Sequence, residues 1–275
     1  MDDYQEFVGR TETRTDTADA RLIEGLAATL DMATPAGDLP PLWHWMFFQD
    51  WRRPGEVGPD GHPQRGGFLP PVHHLPRRMW AGGRLEFGAA GIRMGDVLSR
   101  ESTIQAVSRK AGGSGELIFV TVAHVLTGPR GPVLREEHDI VYRGAEGAAV
   151  KAAPVAAVDP AEALQVLQPD ALLLFRYSAL TGNGHRIHYD MPYVTGEEGY
   201  PGLVVHGPLQ ATLLAAYALV AAPGRSLRAF SFRGLRPAFA GRTLSLHAVA
   251  GADRVTLESR DSEGATCMRA EAVLD

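Results

Sequence analysis

Cysteine is almost absent from this chain. Cys267 is the only one in 275 residues, which excludes an intrachain disulfide and any metal centre built on thiolates. Long hydrophobic runs are missing as well. The most apolar stretch, Leu209 to Ala222, is too short to span a bilayer comfortably and carries Gln210 and Thr212. There is no excess of positive charge: the formal net charge is -5 and the pI lies near 6.1, so no nucleic-acid surface is expected. The opening residues, Met1-Asp2-Asp3-Tyr4, are acidic where a signal peptide would be basic and then apolar. No Gly-x-Ser-x-Gly elbow offers a serine nucleophile, and no His-Glu-x-x-His pattern offers a helical zinc site. These absences lead us to expect a cytoplasmic protein with no nucleic acid, no membrane and no metal among its partners.

The composition that remains is ordinary for a globular protein, 45% hydrophobic and 21% charged, and the length suits one large domain or two small ones. Met1 to Asp16 are polar, and little fixed structure is expected there. Over Asp19 to Leu30, the side chains of Leu22, Ile23, Leu26 and Leu30 share one face of a helix. After a break at Pro35 to Pro41 comes an aromatic patch, PLWHWMFF (41–48), which reads as core packing or as a wall for an acyl chain. Arg53 to Pro76 is rich in glycine and proline and predicts a long irregular loop, of a kind that often carries function.

Strand patterns follow at Arg84–Phe87, Asp96–Arg109, Glu116–Leu126 and Leu134–Tyr142, with Lys110 to Gly115 as a hairpin turn. Gly144 to Asp159, rich in alanine, reads as a linker. Strands return at Ser226–Leu235, Gly241–Ala250, Arg254–Asp261 and Ala265–Leu274. Gly91-Ile92-Arg93 before Gly95–Ser99 is similar to Gly234-Leu235-Arg236 before Gly241–Ser245, which favours an internal duplication. The stretch that organises the rest is Tyr177 to Ala222. Its polar turn carries Asn183, His185 and His188, and it leads through Gly199 to Gly207 into an apolar run that reads as a buried helix. Pro208 suits the first turn of that helix and Pro223-Gly224 ends it. Histidines near a helix N-terminus suit a site for developing negative charge.

Thr181-Gly182-Asn183-Gly184-His185-Arg186-Ile187-His188-Tyr189-Asp190 resembles the signature of the MaoC-like, type 2 enoyl-thioester hydratases. Asn183 stands where that pattern has an acid, His188 where it has the catalytic histidine, and His206-Gly207 matches its pair at the start of the central helix. The segments PLWHWMFF (41–48), GGFLPP (66–71) and LPRRMWAGG (75–83) are similar to the branch containing mesaconyl-C4-CoA and itaconyl-CoA hydratases and the type 2 hydroxyacyl-thioester dehydratases. The resemblance implies an α+β tandem (double) hot dog, each half a curved antiparallel sheet around a helix. Its expected parts are a non-catalytic half over 1–144, a linker over 145–169 and the half carrying the motif over 170–275. It also implies an acyl-CoA substrate, no cofactor, and a homodimer of double hot dogs. The helix of the first half is either Asp19–Leu30 or the aromatic segment. The implied activity is reversible hydration of an enoyl-CoA, with a short branched dicarboxylic acyl group leading. A (3R)-3-hydroxyacyl-thioester dehydratase and a non-catalytic acyl-CoA-binding protein are the alternatives.

Hydration needs a base for water, an acid for the α-carbon, and a donor aimed at the thioester oxygen. His188 is the proton-transfer candidate, because an imidazole titrates near neutrality. Asn183 cannot act as a base, but its amide can hold water. Gly207 offers a backbone N–H at the helix start, where glycine permits close approach. His185 and His206 line or support the site, and Asp190 either orients His188 or is structural. Arg77 and Arg78, flanking Trp80, are assigned to the substrate: a clamp on CoA phosphates or on a terminal carboxylate. A metal would need more than the His185/His188 pair, with His206 or Asp190 conscripted, and none is expected.

Overall fold

The apolar run becomes helix Gly207–Ala221, wrapped by the strands that follow it. Ala211, Leu214, Ala215 and Ala218 are fully buried against Phe230, Leu246, Leu257 and Ala272. The alanines let the sheet approach closely, and a fully buried leucine such as Leu214 contributes on the order of 2–3 kcal/mol. Of the two polar residues in the run, Gln210 is satisfied inside the core, where its Oε1 accepts from Ser259 Oγ at 2.8 Å. A buried polar group without such a partner would oppose folding.

The computed structural model describes residues 3–112, 115–144, 163 and 165–275. In chain order its elements are β1 (Thr11–Thr17), α1 (Ala20–Thr29), β2 (Arg77–Phe87), β3 (Val97–Gly112), β4 (Gly115–Gly128) and β5 (Gly131–Arg143). There follow β6 (Gln165–Leu167), α2 (Ala171–Thr181), α3 (Met191–Gly196), α4 (Gly207–Ala221), β7 (Leu227–Gly234), β8 (Leu244–Ala250), β9 (Arg254–Arg260) and β10 (Thr266–Leu274). The strands make one antiparallel ten-stranded sheet, ordered β1-β3-β4-β5-β2-β7-β10-β9-β8-β6. Read from either edge inward, the first five strands and the last five follow the same order. The two sets meet where Gly82–Glu86 of β2 pairs with Ala229–Arg233 of β7, so each set covers an edge of the other. This is the expected α+β double hot dog architecture. Among the described residues, no helix is long and apolar enough to cross a membrane.

The order of elements answers which segment stands in the first half's helix position. α1 lies against α2, and α4 has its counterpart in the aromatic segment. That segment winds into a 3-10 turn, Trp43–Met46, tied to β5 by Glu136. Glu136 Oε2 accepts from Trp45 Nε1 at 2.9 Å and from His44 Nε2 at 3.1 Å; His138 Nε2 is 3.1 Å away. Desolvation opposes the buried charge, but the fields and bonds of His138 and His44 hold the Glu136 carboxyl well below its ordinary pKa. Trp43, Met46 and Phe47 are buried in the core shared with α1 and α2.

Three expectations need correction. The polar N-terminus forms β1, paired with β3 from Thr11↔Thr103 to Thr17↔Val97. TETRTDT lacks an apolar face because β1 is an edge strand, where threonine's branched side chain suffices. Strand β2 starts at Arg77 rather than Arg84, so Arg77, Arg78 and Trp80 are held on a strand. β6 lies within the span read as linker and pairs with β8. Residues 145–162, which hold most of that span, lie outside the described residues. The Lys110–Gly115 hairpin is present, with Gly112 paired to Gly115. Cys267 is a buried thiol that desolvation pushes up to about 12, consistent with an inert core residue.

Candidate active site

Helix α2 ends at Gly182, whose positive φ of 61° terminates the helix in the left-handed region. The chain then turns through Asn183, whose Oδ1 accepts from the His185 N–H at 3.0 Å, into the short 3-10 turn Arg186–His188. That turn points His188 inward. Its Nδ1 donates to the Val204 carbonyl at 2.7 Å, because a carbonyl can only accept. The tautomer is thereby fixed and Nε2 is left as the open, basic nitrogen. His188 is buried, and desolvation is the main cause that lowers its pKa to about 4; the bond to Val204 opposes this and the field of His62 adds to it. It is neutral at neutral pH.

His206 lies face to face with His188, ring centroids 3.7 Å apart and planes 20° from parallel. It is wholly buried, bonded through Nε2 to Ser178 Oγ at 2.8 Å, and so supports His188 from behind rather than lining the cleft. Of lining and supporting, the two roles open to His206, the geometry fits the second. Gly207, next in the chain, starts α4 and faces the cleft. The N–H of a first helical residue has no partner within its helix. An added Cβ at Gly207 would meet only Met268 Cε, at 3.8 Å, so the fold itself does not require glycine there.

These groups open onto a cleft of about 1550 Å³ to which both sets of strands contribute. Trp80 lines it, packed against His138 at 4.2 Å and Trp45 at 4.8 Å. Arg78 faces it, and its charge acts on His62 and His185. Arg77 also borders the cleft but is engaged by Glu198: Nε lies 3.2 Å from Oε2, and Nη2 donates to the backbone oxygen at 3.2 Å. The sequence pairs the two arginines; the structure separates them. Asp190 is structural. It caps α3 through Tyr193 N–H and holds Arg186 at 2.7 Å.

Two residues in the site escaped sequence reasoning. Asp60 and His62 sit in the long glycine- and proline-rich loop, which folds back onto the histidine turn. Arg186 N–H donates to the Asp60 carbonyl and Arg186 Nη1 to the Pro59 carbonyl, each at 2.9 Å. The His62 ring reaches His185, centroids 4.3 Å apart, and His185 reaches His188 at 5.5 Å. His185 is lowered to about 2, by desolvation and then by the fields of His62 and His188. Donor atoms of Asp60, His62 and His185 lie within 4.8 Å of one another, but Asp60 is already engaged by His62 and the charge of Arg78 opposes a cation there. The glycine-rich character of the loop was the available signal, since Gly61 and Gly184 pass backbone to backbone. At Gly61, φ is +90° and a Cβ would stand 1.9 Å from the Gly184 carbonyl oxygen. Gly61→Ala should therefore displace the loop and lower activity at least tenfold, by the cost of strain at a special φ. Wild-type activity in this variant, measured beside its melting temperature, would show that the loop does not serve the site.

Residues 42–240 match the family model described as hydroxyacyl-thioester dehydratase type 2. The chain is 42% identical over 285 residues to the mesaconyl-C(4)-CoA hydratase of Chloroflexus aurantiacus, covering 99% of this chain and 98% of that protein. The crystal structure of HtdX from Mycobacterium tuberculosis has the same fold, with a TM-score of 0.68 at 15% identity over 96% of this chain and 99% of that one. A second Mycobacterium tuberculosis protein, described as a double hotdog fold, aligns with a TM-score of 0.53 at 15% identity, covering 98% and 96% of the two chains. By its sequence, the chain belongs to the hydroxyacyl-thioester dehydratase type 2 family.

Proposed function

We propose that this protein is a hydro-lyase that adds water to an enoyl-CoA thioester, with mesaconyl-C4-CoA or itaconyl-CoA, giving citramalyl-CoA, as the leading substrates. The observation that carries this reading is His188: its tautomer is fixed so that the basic Nε2 opens beside the N-terminus of α4. In the hydration direction, His188 Nε2 takes a proton from water as the oxygen bonds to the β-carbon. Asn183 holds that water through its amide, and the Gly207 N–H stabilises the charge that develops on the thioester oxygen. CoA is part of the substrate and the chemistry needs no cofactor. We read 1–144 as the half that supplies pocket wall and 170–275 as the half that supplies the motif. The substrate is suggested by the Chloroflexus relative's activity. The family description favours the reverse reaction on a 3-hydroxyacyl thioester as the second reading.

A panel of enoyl- and 3-hydroxyacyl-CoAs, followed by the absorbance of the conjugated thioester, tests the reading. Loss of absorbance is expected with the dicarboxylic C5 substrate; no turnover with any member would leave only acyl-CoA binding. In mesaconyl-C4-CoA the free carboxylate is attached to the carbon that takes the hydroxyl, so its partner must stand beside the catalytic groups. Arg78 does, and Arg77 is engaged by Glu198. Arg78→Ala should raise KM for the dicarboxylic substrate by about 10- to 100-fold, the worth of a charge-assisted bond. A monocarboxylic substrate of equal length should be little affected. Equal losses for both would move Arg78 to the CoA phosphates.

A further inference from the structure

Adding water across a double bond moves two protons: one leaves the water and one reaches the α-carbon. On the histidine turn His188 is the group fit for this, because Asn183 does not titrate, its Oδ1 is already bonded to the His185 N–H, and desolvation leaves the His185 ring a weak base. His188, buried with no carboxylate bonded to it, can take a proton but is poorly placed to store one. The second group is found on the loop from the other half. His62 Nδ1 donates to Asp60 Oδ2 at 3.0 Å, while Asp60 Oδ1 accepts the His62 backbone N–H at 3.0 Å, so the carboxylate grips both ring and backbone. The His62 side chain keeps 23% of its surface accessible, and both residues line the cleft. A carboxylate bonded to Nδ1 orients an imidazole and stabilises its cationic form.

We propose that His62, backed by Asp60, is the second proton-transfer group of the site, delivering the proton to the α-carbon while His188 takes one from water. The inference rests on the hydration reading above. Hydration starts from neutral His188 and from His62 as an imidazolium paired with Asp60, a form that desolvation and Arg78 confine to pH below the ordinary histidine value. Water loses a proton to His188 Nε2 as its oxygen bonds to the β-carbon, and the π electrons pass to the thioester oxygen. The enolate collapses by taking the proton from His62 Nε2, which leaves that imidazole neutral. The proton on His188 then returns to His62 through water in the open cleft, and the site is reset. Dehydration is the same sequence reversed, with neutral His62 removing the α-proton. The clamp of Arg186 on Pro59 and Asp60, itself held by Asp190, fixes the pair to the turn that bears His188.

The test uses the full chain with mesaconyl-C4-CoA and with whichever other enoyl-CoA the wild type turns over. His62→Ala should lower kcat by about 10²–10³-fold, within the span for general acid–base catalysis, with KM changed less than about threefold. Added imidazole should restore at least about a tenfold share of that loss, since it can fill the space and carry the proton. His62→Gln should show the same loss without rescue. Wild-type activity should follow a bell-shaped pH profile, its alkaline limb set by His62. Desolvation, then Arg78 and Arg65, lower the His62 pKa below its ordinary value, and Asp60 opposes them, so the alkaline limb lies on the acid side of that value. Asp60→Asn should therefore move the alkaline limb to lower pH, which a merely structural residue would not do. If either His62 variant keeps kcat within about threefold of wild type with an unchanged profile, the inference is overturned. So is it if both variants melt like wild type, are inactive, and imidazole restores nothing to His62→Ala. A wild type that turns over no enoyl- or hydroxyacyl-CoA removes the hydration reading itself, a result that looks different from either.

Discussion

Replacing His188 with alanine should reduce kcat by about 10²–10⁴-fold while binding of a substrate analogue persists. The open Nε2 is lost, and the other imidazole of the turn, His185, is left a weak base by desolvation. The ring of His206 cannot substitute, because it is buried behind the space that His188 vacates. Asn183→Ala should cost less, since it removes a positioning amide and leaves the base. Near wild-type kcat in His188→Ala would end the proposed mechanism, whatever the fold.

The same residue dictates the acid side of the pH profile. Protonation of His188, with its pKa lowered to about 4, should switch off hydration as pH falls through that value. Stability should begin to fall earlier. Desolvation lowers the pKa of His62, His124, His185, His188 and His206 alike, from an ordinary value of 6.5. Below that value the unfolded chain binds protons that the folded chain does not. The stabilising contribution is therefore full above about 6.5 and shrinks as pH falls towards the folded values. Urea midpoints at several pH values between neutrality and pH 4 would measure the decline; a flat series would contradict it.

Gly207→Pro is expected to have the second large effect, about 10²–10³-fold in kcat, the usual cost of one oxyanion donor. The substitution removes the N–H at a position where proline is tolerated, the first residue of a helix. Gly207→Ala separates donor from space. It keeps the N–H, and the new methyl meets only Met268 Cε at an ordinary distance, so the melting temperature should hold. Any loss of activity in that variant comes from a ligand that can no longer approach. If Gly207→Pro folds and turns over at the wild-type rate, the oxyanion donor lies elsewhere.

How far the sequence reached can be followed residue by residue. Helix α4 was legible because burial on all sides leaves an unbroken apolar composition, and a helix carries its own backbone bonds. The antiparallel strands were legible for a similar reason: alternation and turn chemistry are local, and the β3–β4 hairpin is announced by its glycines. The motif from Asn183 to His188 and the pair His206-Gly207 lie close enough in the chain to be read together. Edge strand β1 was lost because an edge has no apolar face to display, and β6 because three residues show no period.

What only the tertiary structure decided is which distant residues share the site. Arg77 and Arg78 are adjacent in sequence and both border the cleft, yet Arg77 is tied to Glu198 there and Arg78 is not. His206 follows the motif as its family pattern would have it, but packing sets it behind His188 instead of before the substrate. Asp60 and His62 reach His185 across more than a hundred residues, through a contact that two glycine backbones make possible and Arg186 secures. Local pattern records what a segment needs for its own folding. It does not record the docking of one loop on another, which is settled by backbone approach and a few hydrogen bonds between segments that have no common period.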